Sequence, residues 1–114
     1  MNEYLTRVAV SWAAATFGAE DTFSSPRRTL RLIEEAVELG QAMKLDRALI
    51  HKLVDTVYER PRGVPEQEMG GVALTFAVLC GINGGDPSHY LTQELCRVLA
   101  KPPEDLQKRR LKIK

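Results

Sequence analysis

Residues 69–80 read MGGVALTFAVLC, with Pro65-Glu66-Gln67-Glu68 immediately before them. On a helix, Met69, Val72, Leu74, Phe76, Val78 and Leu79 fall on every side of the circle. A helix that is apolar all round must be buried on all sides. In a chain of 114 residues this predicts the central helix of a bundle, or one that also packs against a second subunit. Residues 69–85 carry no formal charge, but Thr75, Asn83 and five glycines interrupt them. No run reaches the roughly 18 uninterrupted apolar residues that a membrane-spanning helix needs.

The segments on either side are helical as well. Helix formers dominate, and the alternation of β-branched residues that marks strands is almost absent. A first helix is expected over about 3–17, stopped by Gly18 and followed by a polar loop over 19–24. Ser25-Pro26 predicts the start of a second helix running to about Lys44, with serine as cap and proline at the first helical position. Asp46 can cap a third helix reaching about Glu59. Asp86-Pro87 repeats the cap-plus-proline signal for a fifth helix ending near Ala100, and a short polar segment follows Pro102-Pro103. The expected class is all-α, a bundle of four to five helices completed by oligomerisation. The expected domain is 1–100, followed by a basic C-terminal segment over 101–114.

Composition narrows the function. The chain is 44% hydrophobic and 27% charged, ordinary values for a globular domain. Sixteen basic residues against fifteen acidic ones leave a net charge of +1, too small a field to recruit nucleic acid or an anionic membrane. Cys80 and Cys96 fall inside expected helices at no metal-ligand spacing, so they read as reduced core thiols of a cytoplasmic protein. Residues 8–17 have the length of a signal-peptide core. Glu3 in place of a basic leader, and Ser11, Trp12 and Thr16 within the run, favour an amphipathic first helix instead.

The second helix carries Glu34, Glu35 and Glu38, a fan of carboxylates about 100° wide at 100° per residue. Such a fan is often no more than a solvated face. Here apolar residues flank it on both sides (Leu30, Ile33 and Val37; Leu32, Ala36 and Leu39), and no lysine follows at i+4. Hard oxygen anions without neighbouring cations suit Mg²⁺ or Mn²⁺. Glu68 is the second acidic candidate, although at the opening of a helix it can simply complement the macrodipole.

Leu32-Ile33-Glu34-Glu35-Ala36-Val37-Glu38 and Glu68-Met69-Gly70-Gly71 together resemble the EExxE and ExxD motifs of the all-α NTP pyrophosphatase superfamily. These are the MazG-like proteins, with the dimeric dUTPases and dCTP pyrophosphatases as relatives. Helix order and motif separation extend the resemblance over about residues 4–100. It implies Mg²⁺-dependent cleavage of a nucleoside triphosphate to the monophosphate and pyrophosphate. By motif position the metal ligands are Glu35, Glu38 and Glu68, and Glu34 is a nearby ligand or water-orienting base. Phosphate handling calls for cations, with Arg60, Arg62 and Lys101 as candidates and further basic residues at 108–114; Trp12 and Phe17 could stack on a base. The resemblance also implies a homodimer or a pair of dimers. The family's ExxD aspartate falls on Gly71, which has no ligand to offer. This opens an alternative, a nucleotide-binding or sensing module with impaired catalysis; the basic tail separately suggests a nucleic-acid accessory protein.

Overall fold

A computed structural model of the chain describes residues 3–108, which form seven helices and no strand. They are α1 (Glu3–Phe17), α2 (Ala19–Thr22), α3 (Ser25–Ala42), α4 (Arg47–Tyr58), α5 (Pro65–Ile82), α6 (Pro87–Leu99) and α7 (Pro103–Lys108). No single helix among the described residues is long and apolar enough to cross a membrane.

Local chemistry sets the boundaries. Gly18 sits at φ 88°, a left-handed conformation that costs glycine little and separates α1 from α2. The loop expected over 19–24 therefore begins with a short helix. Ser24, one residue earlier than expected, caps α3, its hydroxyl accepting from the Arg27 N–H at 3.4 Å. Asp46 caps α4 by accepting from the Ala48 N–H at 3.1 Å, and Asp86 caps α6 by accepting from the His89 N–H at 2.9 Å. Gly84, at φ 84°, lies in the turn between α5 and α6, whose axes meet at 89°.

The core is small and lies at one end of the molecule. Ala13 of α1, Cys80 of α5 and Leu95 and Val98 of α6 are its buried hydrophobic residues. The close helix pairings are α1–α2, α1–α6, α1–α7, α2–α3 and α5–α6. Gln107 ties α7 down, its Nε2 donating to the Thr16 carbonyl at 2.6 Å. Asp21 is buried at the α2–α3 corner, where its carboxylate meets the Arg28 and Arg27 guanidiniums. Arg28 also lies over the Phe17 ring, 5.7 Å from its centroid. That ion cluster fixes the direction in which α3 leaves the core.

Two expectations need correction. The helix expected to be central, α5, is mostly uncovered by its own chain: Cys80 is its one buried residue, while Met69 is 73% and Leu74 68% exposed. Its apolar circumference demands a cover, but the demand does not say which chain supplies it. Cys96 is exposed rather than in the core; both cysteines are free.

Replacing Asp21 with alanine would strand Arg28 beside a buried surface. The expected loss is about 2–3 kcal/mol, below the roughly 3–5 of a fully buried pair because both arginines keep some solvent. Removing Glu3, whose pair with Arg7 is open to solvent, should cost about 0.5 kcal/mol or less. Urea unfolding of the two variants beside the parent measures the contrast.

Candidate functional site

The carboxylate fan lies on the middle turns of α3, and its members differ in environment. Glu34 is half-buried and accepts from Arg31 Nη1 at 2.6 Å, the two side chains being 23% and 20% exposed. The Arg31 guanidinium also lies over Phe17 at 5.9 Å, and Phe17 meets Trp12 edge-to-face with centroids 5.7 Å apart. A continuous line of contacts thus runs from Trp12 through Phe17 and Arg31 to Glu34. Glu34 is held by a cation, which suits a positioning role better than that of an open ligand.

Glu35 and Glu38, one turn apart, lie on more exposed parts of the helix. Partial burial of the carboxyl raises the Glu35 pKa above its ordinary value, and the Glu38 carboxylate adds to the shift. Glu94 and Glu34 push in the same direction, and Arg31 opposes them. The contribution of Glu94 brings a residue of α6 into the field of the α3 carboxylates. Glu94 in turn grips Arg97 through two contacts, Nε to Oε1 at 2.8 Å and Nη2 to Oε2 at 2.5 Å.

Glu68 takes a different position. It lies in the first turn of α5, and its carboxylate folds back over the connector that precedes the helix. A Cβ on Gly63 would stand 2.8 Å from Glu68 Oε1, a contact that the flexible carboxylate can relieve by moving aside. Within one chain and among the described residues, no three His, Cys, Asp or Glu side chains converge to hold a metal. Glu35 and Glu38 are therefore neighbours, and Glu68 is not brought to them by its own chain. Glu35 and Glu38 offer oxygen donors of the kind a hard divalent cation takes, but they are two of the three expected ligands.

The expected cationic and aromatic residues are scattered. Arg60 and Arg62 are exposed on the α4–α5 connector, and Lys101 is exposed just after α6. Pro65, at the end of that connector, lines an open groove of about 560 Å³ with Pro26, Leu30 and Ile33 of α3, so the two helices begin near one another. Trp12 lines a separate open groove with Tyr4, Val8 and Leu99. The basic residues at 109–114 lie outside the described residues. Gly71 has nothing within 4 Å of where a Cβ would sit, so close packing inside the chain does not account for it. No known protein family, curated protein or solved structure matches the chain.

Two measurements probe this arrangement. Because the pKa of Glu35 is raised in the folded state, its effect on stability is favourable below its unfolded pKa and is lost as pH rises through the folded value. Glu35→Gln escapes that loss. Without divalent cations, the stability of this variant relative to the parent should rise from about pH 4 to neutrality. A difference that stays flat or falls with pH, in urea titrations, would show that the carboxylate is not under electrostatic stress. Gly71→Asp places a carboxylate one turn beyond Glu68 in open space. Its melting temperature should drop in EDTA relative to the parent and recover in millimolar Mg²⁺, whereas an equal loss in both conditions contradicts a cation-binding role for this face.

Proposed function

We propose that the chain is a Mg²⁺-dependent nucleoside triphosphate pyrophosphohydrolase of the MazG-like type, releasing a nucleoside monophosphate and pyrophosphate. The observation that carries this reading is the Glu35–Glu38 pair. The two carboxylates sit one turn apart on the helix whose sequence carries the EExxE pattern, and burial, with the Glu38 charge added to it, raises the pKa of Glu35. A bound cation would relieve the repulsion between two such carboxylates, and this supports the reading.

In this reading Glu35, Glu38 and Glu68 hold Mg²⁺, with Mn²⁺ as a substitute. The bound cation would neutralise triphosphate charge and activate water for attack on phosphorus. The protein's own groups perform the rest. Glu34, oriented by Arg31, accepts a hydrogen bond from the attacking water. Arg60 and Arg62, with Lys101, supply positive charge to phosphate oxygens. Trp12, braced edge-on by Phe17, offers a face to the base. The working unit is a homodimer or a pair of dimers, and the free thiols fit the reducing cytoplasm.

Gly71 favours a second reading, in which the chain binds nucleotides without turning them over. A panel of canonical and modified nucleoside triphosphates, assayed for pyrophosphate with and without Mg²⁺, separates the two. Mg²⁺-dependent release that falls about a hundredfold or more in Glu38→Gln supports the enzyme. Binding without release supports the module, and neither binding nor release removes both.

A further inference from the structure

The C-terminal end of α1 is held from outside the helix. Its last turn contains Thr16 and Phe17, and Gly18 at φ 88° stops the helix there. The final carbonyls of a helix have no intrahelical partner, so such a turn frays unless another group satisfies them. Here α7 supplies that group: the Gln107 side chain, 91 residues away in the chain, donates to the Thr16 carbonyl. Leu106 beside it is half-buried, and α7 pairs closely with α1. At six residues α7 is too short to persist as a free helix in water, so its order depends on its docking.

Phe17, the residue next to Thr16, is a hub. Its ring meets Trp12 edge-to-face and lies under the guanidiniums of both Arg28 and Arg31, at 5.7 and 5.9 Å. The two arginines are secured unequally. Arg28 is tied to the buried Asp21 and has that anchor whatever Phe17 does. Arg31 has Glu34 instead, in a pair that solvent partly reaches and that contributes little by itself. A shift of the Phe17 ring is therefore felt at Trp12 and at the Arg31–Glu34 pair, and hardly at Asp21.

We propose that α7 is a detachable strap. Docked through Gln107, it fixes the last turn of α1 and so positions Phe17, Trp12 and the Arg31–Glu34 pair; released, it lets them shift together. Pro102 and Pro103 stiffen the base of the strap, so it moves as a unit. A ligand that needs Trp12 and Glu34 in place binds the docked form better, and by linkage it tightens α7 onto α1. Gln107 is thus a positioning residue that acts through Phe17. Its effect on catalysis, through Glu34, rests on the pyrophosphohydrolase reading; the coupling of α7 to Trp12 and Arg31 does not.

The test uses the full chain, with Trp12, its sole tryptophan, as reporter. Gln107→Glu removes the donor and sets a carboxylate against the negative end of the α1 dipole. Loss of one such hydrogen bond shifts docking about two- to tenfold toward release, and the added charge shifts it further. The expected result is faster amide exchange in α7, stronger acrylamide quenching of Trp12, and faster exchange of the Arg31 guanidinium protons by NMR. Gln107→Lys restores a donor of sufficient reach and complements the dipole, so it should return all three signals to the parent's values. Phe17→Leu, made alone and with Gln107→Glu, closes a double-mutant cycle. Without the ring, Gln107→Glu should still loosen α7 but cause no further change at Trp12 or Arg31. Trp12 and Arg31 signals that stay at the parent's values while α7 loses protection overturn the proposal. So does an α7 that keeps its protection without the donor, or a Gln107→Glu effect on Trp12 and Arg31 that is the same with and without the ring. If the parent turns over a nucleoside triphosphate, Gln107→Glu should also lower kcat/KM. A parent without turnover removes the catalytic reading and leaves the three signals to decide the strap.

Discussion

The apolar surface of α3, α4 and α5, which the chain cannot cover by itself, is the constraint on which the rest of the structure depends. A small core of α1, α6 and, through Cys80, the C-terminal end of α5 anchors the molecule, with α7 packed against α1. The other three-quarters of α5, with all of α4 and much of α3, project from that anchor with their hydrophobic residues open. Burial of apolar area is the dominant favourable contribution to folding, and in these helices much of it is left unmade within the chain. The same constraint bears on function, because the carboxylates proposed to bind a cation lie on two of the three projecting helices.

Electrostatics divides α3 into two regions with opposite roles. Near its start, Arg27 and Arg28 answer the buried Asp21, an arrangement that opposes unfolding and sets the exit angle of the helix. Two turns later the Glu35 carboxyl has a raised pKa, from its burial first and from the Glu38 charge second, with Arg31 opposing the shift. Placing a stabilising cluster next to a strained one is consistent with a helix whose first half is anchored and whose second half is kept for a ligand. Arg31 joins the halves, since it contacts both Phe17 of the anchor and Glu34 of the fan.

Much of the helical outline was legible from local signals. Asp46 and Asp86 cap the helices they were expected to cap, because an aspartate side chain satisfies nearby N–H groups whatever the tertiary context. The cap of α3 shifted by one residue because Ser24 and Ser25 are adjacent and equally able to accept. The pairing of Arg31 with Glu34 was readable from its i, i+3 spacing, but it lies N-terminal to the fan, outside the following positions in which a compensating lysine was sought. Glu94 had no comparable signal. Its effect on Glu35 arises only when α6 is folded toward α3, a relation between residues far apart in the chain. The burial of α5 was illegible for a different reason: hydrophobicity states that a face must be covered and is silent about whose atoms cover it.

Amide hydrogen exchange along α4 tests the central claim most directly, since this helix has no buried residue and no close helix pairing in its own chain. At high protein concentration the account predicts slow exchange over Arg47–Tyr58, comparable to that of the α1 and α6 core, and a collapse of that protection when the protein is diluted below its dissociation constant. Protection of α4 that is weak at every concentration, or strong and independent of concentration, would contradict it.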